Sequence, residues 1–282
     1  MIINNYALSL RNSCAIRLEQ LWADLYQYVP LGTRRRFQVY CIGMPRSGTH
    51  SIAAMFAKHY TSLHEPAYHD TIVHLLNYLH GGYSGDKLKT LLIARDRYLR
   101  LEMESSHVLH HLTNSLVSLF PDAQFILTIR EPLSWLESEI NQNLITQRWP
   151  VWKSLEQYRY GRYHHSFQPE EKALAMLDNV YPIRSYLAYW REHYLYVKAN
   201  VPQERLLILK TSELYHSAST LAAFLGIQPQ TIDLAHAHAG VNNLKPFRLY
   251  QYVRKDFIQE QVDECCGEIV RELFPGCRSV NR

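Results

Sequence analysis

The segment that most constrains the fold of this chain is a β-rich run that leads through a glycine-containing loop straight into a helical pattern. The run FQVYCIG spans Phe37–Gly43, the loop GMPRSGT spans Gly43–Thr49, and the helical pattern SIAAMFAKHY begins at Ser51. A strand that passes through a tight loop directly into a helix is the opening unit of an α/β nucleotide-binding domain. The rest of the chain is interpreted from that starting point.

Further apolar runs alternate with helical patterns along the rest of the chain. Strands are predicted at Thr61–Glu65, Tyr98–Glu104, Ala123–Ile129 and Arg205–Lys210. A helix is predicted from Pro132, a residue favoured in the first helical turn, and a single long helix from Leu174 to Val197. Alternation of this kind predicts an α/β fold, a P-loop-like parallel sheet flanked by helices on both faces.

The predicted domain organisation is simple. Apolar residues at helical spacing, among them Leu18, Trp22 and Leu25, predict an N-terminal helical extension over residues 1–36. No shift in composition marks a linker further along the 282 residues, so residues 37–282 are predicted to form one domain.

Composition narrows the function classes. A hydrophobic fraction of 47% with 20% charged residues is typical of a folded protein. The net charge of +4 suits an anionic ligand but lacks the concentrated basic face of a nucleic-acid binder. Five cysteines without a CxxC pair indicate neither a disulfide framework nor a zinc ribbon. With no apolar leader and no run long enough for a transmembrane segment, we expect a cytoplasmic protein.

The loop itself indicates a phosphate-binding site. Its two glycines, Gly43 and Gly48, have P-loop spacing, which lets successive backbone N–H groups turn toward phosphate oxygens at a helix N-terminus. A nucleoside triphosphatase would have Lys and Ser/Thr after the second glycine, where this chain has Thr49 and His50. The cation lies inside the loop instead, at Arg46. This pattern favours a single phosphate joined to a small anionic group, handled without a metal.

Gly43–Thr49 resembles the 5′-phosphosulfate loop of sulfotransferases, G-x-P-[KR]-S-G-T, and a second motif supports the resemblance. The predicted strand FILTI is followed by Arg130, Pro132 and Ser138, in the R-x-P-x₅-S pattern of that family's 3′-phosphate site. An arginine can grip a terminal phosphate with two parallel hydrogen bonds.

The resemblance implies 3′-phosphoadenosine 5′-phosphosulfate as donor and 3′,5′-adenosine bisphosphate as product, with no metal. It implies a sulfotransferase that moves a sulfuryl group to a hydroxyl or amine. The implied cofactor-binding residues are Arg46, Ser47, Gly48, Thr49, His50, Ser51, Arg130 and Ser138.

Three residues are candidates for the chemistry. Arg46 would stabilise the charge that develops on the oxygen between sulfur and phosphate. A hydroxyl acceptor also needs a general base, for which the strand ends offer Glu65 and His107. Glu65 resembles the catalytic glutamate of carbohydrate sulfotransferases, and His107 lies near the catalytic histidine position of phenol and steroid sulfotransferases. We favour Glu65 and keep His107 as the alternative.

The acceptor is predicted only by class: a small molecule, a carbohydrate or a lipid. The segment Arg148–Tyr163 interleaves cations with aromatic residues that include Trp149, Trp152 and Tyr163. Such a segment could close over an acceptor, or it could simply be a surface helix. For His107, His110 and His111, ordinary packing is favoured over a zinc site.

Two other functions remain alternatives at this point. One is a P-loop kinase of small metabolites, and the other is a nucleotide-binding protein that has lost catalysis.

Overall fold

The computed structural model describes residues 35–145, 150–237 and 248–276. Five parallel strands form a single sheet in the order β2-β3-β1-β4-β5. The strands are β1 Val39–Cys41, β2 Ser62–His64, β3 Met103–Ser105, β4 Gln124–Ile129 and β5 Leu206–Lys210. The predicted parallel α/β sheet is therefore confirmed. The predicted N-terminal helix lies almost wholly outside the described residues.

Helices connect the strands and complete the described part of the chain. They are α1 Thr49–Phe56, α2 Tyr68–Leu79, α3 Gly85–Leu99, α4 Thr113–Leu119, α5 Pro132–Ile145, α6 Pro150–Tyr160, α7 Ile183–Asn200, α8 Ala218–Leu225 and α9 Lys255–Leu273. Over the described ranges, none of these helices is both long and apolar enough to cross a membrane.

Both faces of the sheet are buried, because alternate residues of the central strands enter two different hydrophobic clusters. Tyr40 of β1 and Phe125 of β4 pack into one cluster with Trp135 and Trp190. The neighbouring residues Val39, Cys41 and Ile126 pack into the other cluster, with helices α1 and α8. A strand that is buried on both faces has a continuous apolar sequence, which is why the runs of β1 and β4 were recognisable. Helices therefore cover both faces, as predicted.

Two predicted elements are wrong in extent. Tyr98 and Leu99 end helix α3 instead of starting a strand, and β3 covers only Met103–Ser105. The change occurs at Arg100, whose left-handed conformation (φ 48°) ends the helix.

The helix predicted from Leu174 to Val197 is two elements. Leu174–Met176 is a single 3₁₀ turn, and α7 begins only after Pro182. Proline is tolerated at the start of a helix but not in its interior, so Pro182 separates the two elements. His107 lies between β3 and the 3₁₀ turn Leu109–Leu112 and is part of neither.

The parallel arrangement brings all five strand ends to one edge of the sheet. The glycine loop follows β1, Glu65 follows β2, His107 follows β3 and Arg130 follows β4. Thr211 follows β5 directly. Ligands of open α/β sheets bind at this carboxyl edge, so the sequence-predicted residues lie where a site is expected.

Candidate active site

The loop after β1 requires glycine at both ends. A Cβ atom on Gly43 would lie 1.8 Å from the Thr128 hydroxyl, so the loop passes against β4 with no room for a side chain. Gly48 has a φ of 101°, and a Cβ there would lie 2.5 Å from a methyl of Leu214. Only glycine adopts this left-handed conformation without strain. The spacing of the two glycines therefore has a direct structural cause.

Helix α1 presents an open N-terminus to the loop. It begins at Thr49, no side chain caps it, and its first turn contains no acidic residue. The first N–H groups of a helix have no partner within it, and together they form a positive end that attracts anions. Arg46, three residues before Thr49, has a φ of 60°, a strained conformation for a residue with a side chain.

Hydrogen bonds from neighbouring elements hold the loop in place. The Ser47 hydroxyl donates to the Met44 carbonyl over 2.6 Å and lies 2.8 Å from the Thr128 hydroxyl. Thr211 donates to the Ser47 carbonyl over 2.7 Å, and the Trp135 indole to the Pro45 carbonyl over 2.8 Å. Ser47 is one of the residues predicted to bind the cofactor. Its hydroxyl is buried and holds the loop, so the group of Ser47 that remains for a ligand is its backbone N–H.

Arg46 of the loop meets Ser138, and Arg130 lies near it. The Nε of Arg46 donates to the Ser138 hydroxyl over 3.1 Å, which joins residues from the two predicted motifs. Arg130 donates to Ser134 over 3.2 Å, and the Trp190 indole donates to the Arg130 carbonyl over 3.0 Å. Burial lowers the pKa of Arg130, and the positive charge of Arg46 lowers it further. Two guanidinium groups close enough to repel each other form a site that an anion would stabilise.

Glu65 lies at the end of β2 in a constrained position. Its φ is 50°, and its amide donates to the Ser105 carbonyl over 2.9 Å. Its carboxylate Oε1 lies 2.8 Å from the Nε2 of His107. Burial acts to raise the pKa of Glu65, but His107, His64 and Arg159 outweigh it and lower that pKa to about 2. The carboxylate is therefore ionised at every pH at which the protein would be assayed.

A buried arginine on α6, which the sequence analysis did not single out, contacts His107 from the other side. A terminal nitrogen of Arg159 lies 2.6 Å from the His107 Nδ1 and donates to the His107 carbonyl over 3.1 Å. Its Nε donates to the His111 Nε2 over 3.2 Å. The side chain is 1% exposed. The only available signal was its place in the mixed cationic and aromatic segment, which does not distinguish it from its neighbours.

Thr49 and His64 connect the loop to the strand that carries Glu65. The Thr49 hydroxyl lies 3.2 Å from the His64 Nε2, and the Ser105 hydroxyl donates to the Thr49 carbonyl over 2.6 Å. The exposed His50 packs its ring edge-on against His64, with ring centres 5.1 Å apart. Burial lowers the pKa of His64 to about 4, so its imidazole is neutral at pH 7.

Part of the predicted acceptor segment lies against the same site. Trp152 of α6 stacks on Tyr68, with ring centres 5.2 Å apart, and packs against His107 at 5.3 Å. Tyr163 instead donates to Glu192 over 2.7 Å. Trp149 lies outside the described residues.

The histidines considered for zinc are packed among protein groups. The guanidinium of Arg159 contacts both His107 and His111, and His110 stacks on His193 with ring centres 3.6 Å apart. In the described part of the chain, no group of three or more His, Cys, Asp or Glu side chains is arranged to hold a metal ion.

Comparison with known proteins gives a family match over most of the chain. Residues 38–240 match the profile of a family described as "Sulfotransferase domain". A curated relative, the Ava biosynthesis cluster protein M of Aspergillus versicolor, is 33% identical over 100 residues, which are 33% of this chain and 38% of that protein. The match thus spans little more than a third of the relative's length.

Two solved structures are similar at low identity. A sulfotransferase from Alicyclobacillus acidocaldarius is 14% identical, covers 86% of this chain and 95% of its own, and has a TM-score of 0.49. The sulfotransferase domain from the curacin biosynthetic pathway is 13% identical, covers 82% and 98%, and has a TM-score of 0.40.

Proposed function

This chain belongs to the sulfotransferase domain family, and we propose that it transfers a sulfuryl group from 3′-phosphoadenosine 5′-phosphosulfate to a hydroxyl or amine. The observation that carries the proposal is the arrangement at the carboxyl edge of the sheet. Arg46 of the first motif donates a hydrogen bond there to Ser138 of the second, whose Arg130 is near enough for the charge of Arg46 to lower its pKa. An ionised carboxylate, Glu65, ends the strand that follows the loop helix.

The residues beside the loop fit the donor. Arg46 and the open N-terminus of α1, from Gly48 to Ser51, would hold the 5′-phosphosulfate. Arg130 and Ser138 would hold the 3′-phosphate. The Arg46–Ser138 hydrogen bond makes these two subsites neighbours, as the two phosphates of one ribose require. When bound, the donor supplies an activated sulfuryl group.

Glu65 is the proposed general base. Its Oε1 accepts from His107, and no described residue donates a hydrogen bond to Oε2, which is left to accept a proton from the acceptor. A low pKa makes a carboxylate a weak base toward a free alcohol. A hydroxyl that bonds to sulfur becomes strongly acidic, so a weak but correctly placed base is sufficient. Arg46, a residue of the loop itself, would stabilise the negative charge that develops on the donor.

The acceptor is proposed to bind beside Trp152 and Tyr68, where aromatic rings line the approach to His107 and Glu65. A small molecule, a carbohydrate or a lipid with an exposed hydroxyl fits this chemistry. Stacked aromatic rings bind the flat face of a sugar or an aryl group, and they exclude water from the reacting atoms.

The donor assignment is tested by thermal unfolding with two nucleotides. We expect 3′,5′-adenosine bisphosphate to raise the Tm clearly and AMP, which lacks the 3′-phosphate, to raise it much less. Arg130→Ala should abolish that difference, because it removes the cation that recognises the 3′-phosphate. The matched control is Arg184→Ala, which removes an arginine paired with Glu264 on α9. Equal stabilisation by both nucleotides in the unmutated protein would refute the 3′-phosphate assignment.

Turnover distinguishes the proposal from its two alternatives. A screen of acceptors with radiolabelled donor, each product identified by its mass, should detect sulfated product. ATP turnover with Mg²⁺ and no response to the sulfated nucleotide would favour a small-molecule kinase. Tight binding of the bisphosphate without turnover on any acceptor would favour a nucleotide-binding protein without catalysis.

A further inference from the structure

We propose that Arg159 is a positioning residue that fixes His107 as a neutral imidazole with its proton on Nε2, so that His107 orients the Glu65 carboxylate. The effect on catalysis rests on the proposed function, in which Glu65 is the general base. The effect on the imidazole itself does not, because it follows from contacts within the protein. No motif of the family resemblance includes Arg159.

The hydrogen-bond directions follow from the inventory of donors. A guanidinium has only N–H donors, so at the 2.6 Å contact with Arg159 the Nδ1 of His107 must accept. An imidazole that accepts at Nδ1 carries its proton on Nε2. That Nε2 lies 2.8 Å from the Glu65 Oε1, a carboxylate oxygen that can only accept when it is ionised. Both contacts are satisfied together by one tautomer of a neutral ring.

Arg159 is itself held in place. Its guanidinium also donates to the His107 carbonyl over 3.1 Å and to the His111 Nε2 over 3.2 Å. These hydrogen bonds hold the guanidinium in the orientation in which its terminal nitrogen reaches the Nδ1 of His107. Because the Arg159 side chain is 1% exposed and bonded to three acceptor atoms, it can fix the orientation of the His107 imidazole.

Burial and Arg159 together favour the neutral ring of His107, against two carboxylates that attract a proton to it. Glu65 on the strand side attracts a proton, and so does Glu139 of α5. Arg159, which lies on α6, opposes protonation of His107. The neighbouring histidines add no positive charge, because burial lowers their pKa values and keeps them neutral; they are His64, His111 and His193. Burial is the largest effect on His107 and lowers its pKa, and Arg159 lowers it further.

Loss of Arg159 should change the chemistry in a defined way. Without the cation, Nδ1 is free to take a proton, and His107 becomes an imidazolium that pairs with Glu65. The paired carboxylate is then a poorer base, and its orientation is no longer fixed by a single tautomer. The parent should therefore keep its kcat as the pH falls through the range near 6.5, whereas an Arg159 variant should lose kcat there.

The test uses nitrogen NMR of ¹⁵N-histidine-labelled full-length protein without substrate, with His107 assigned from the spectrum of His107→Gln. The parent should show a bare Nδ1 and a protonated Nε2 at pH 8 and at pH 6. Arg159→Met should show His107 taking up a proton between these pH values. Arg159→Gln keeps a donor without the charge, so it should retain the tautomer at pH 8 and titrate at a higher pH than the parent. The proposal is overturned if the parent carries the proton on Nδ1, or if both variants leave the His107 titration unchanged.

Kinetics on the same variants provides the second readout. For Arg159→Met we expect kcat to fall roughly 10–100-fold at pH 6 and less at pH 8, with the donor KM close to that of the parent. Arg184→Met, which removes an arginine paired with Glu264, should leave the pH profile unchanged. If Arg159→Met does not fold, Arg159→Gln decides by the same two measurements. A parent that transfers no sulfate would refute the proposed function while the NMR result still decides the role of Arg159.

Discussion

Glu65 and His107 are in direct contact, so their roles are not independent. His107 uses Nδ1 for Arg159 and Nε2 for Glu65, which leaves neither ring nitrogen for a substrate proton. Glu65 uses one carboxylate oxygen for His107. This difference favours Glu65 as the base, the residue that we also favour from the sequence. In the proposed arrangement His107, the other sequence candidate, acts through Glu65.

We expect Glu65→Gln to lower kcat on the order of 10²–10⁴-fold, the usual size of a general-base contribution, with donor binding unchanged. Glutamine has nearly the same shape, so a loss of rate reports the lost base rather than a lost contact. Steady-state kinetics and the Tm shift with 3′,5′-adenosine bisphosphate measure the two effects separately. His107→Ala should cost much less, and the opposite ranking would assign the base to His107.

The site residues that the sequence predicted belong to short motifs, whereas the one that it missed depends on a contact between distant parts of the chain. Arg46, Gly48, Arg130 and Ser138 belong to local motifs whose spacing is set by one loop or by about two helical turns. Arg159 reaches His107 across 52 positions of sequence, through the packing of α6 over the end of β3. No local pattern encodes such a contact, so the sequence could indicate the segment but not the residue.

At the scale of elements, β1 and β4 were predictable because they are buried on both faces and therefore continuously apolar. The edges of other elements were not predictable, because their ends depend on single residues. Arg100 ends α3 in a left-handed conformation, and Pro182 delays the start of α7. The apolar spacing continues through both points, so periodicity alone extends each element too far.

Helix α6 contributes two different side chains to the site, and they should respond differently to mutation. Trp152 stacks on Tyr68 beside His107, whereas Arg159 makes hydrogen bonds to His107. We expect Trp152→Ala to raise the acceptor KM or change acceptor choice, with donor affinity nearly unchanged, because the ring lies on the acceptor side. Steady-state kinetics with varied acceptor checks the first effect, and nucleotide binding by the same variant checks the second.

The control for Trp152→Ala is Tyr98→Ala, which removes an aromatic ring that is 60% exposed at the end of α3. Tyr98→Ala should change neither the acceptor KM nor the affinity for the nucleotide. Weaker nucleotide binding by Trp152→Ala would instead assign α6 to the donor site or to the core.

Over the whole molecule, each of the five strands contributes to one edge of the sheet, so the site exists only when the complete sheet is formed. The same architecture buries many histidines beneath that edge. His193 of α7 donates from Nε2 to the Ile42 carbonyl over 2.8 Å, and it stacks on His110. Burial lowers the pKa of His193 to about 3 and holds the pKa values of His110 and His111 well below their usual range. The folded protein therefore keeps these rings neutral where the unfolded chain would protonate them.

This predicts a loss of stability in mild acid, at pH values above those at which Glu65 titrates. In the unfolded chain histidine takes up a proton as the pH falls through 6.5, but in the fold His193 does so only near pH 3. Because the unfolded state binds more protons between these values, the free energy of unfolding falls as the pH falls, by about 2 kcal/mol between pH 7 and 5 for one such histidine. Glu65 has a pKa of about 2 in the fold and 4.5 in the unfolded chain, so its contribution to stability is lost only below pH 4.5.

Urea unfolding at pH 7, 6 and 5 should show that the free energy of unfolding already falls in this range. His193→Gln should make the fall smaller, whereas His216→Gln, at an exposed position, should leave it unchanged. Stability that stays constant down to pH 5 would show that these buried rings are protonated in the fold.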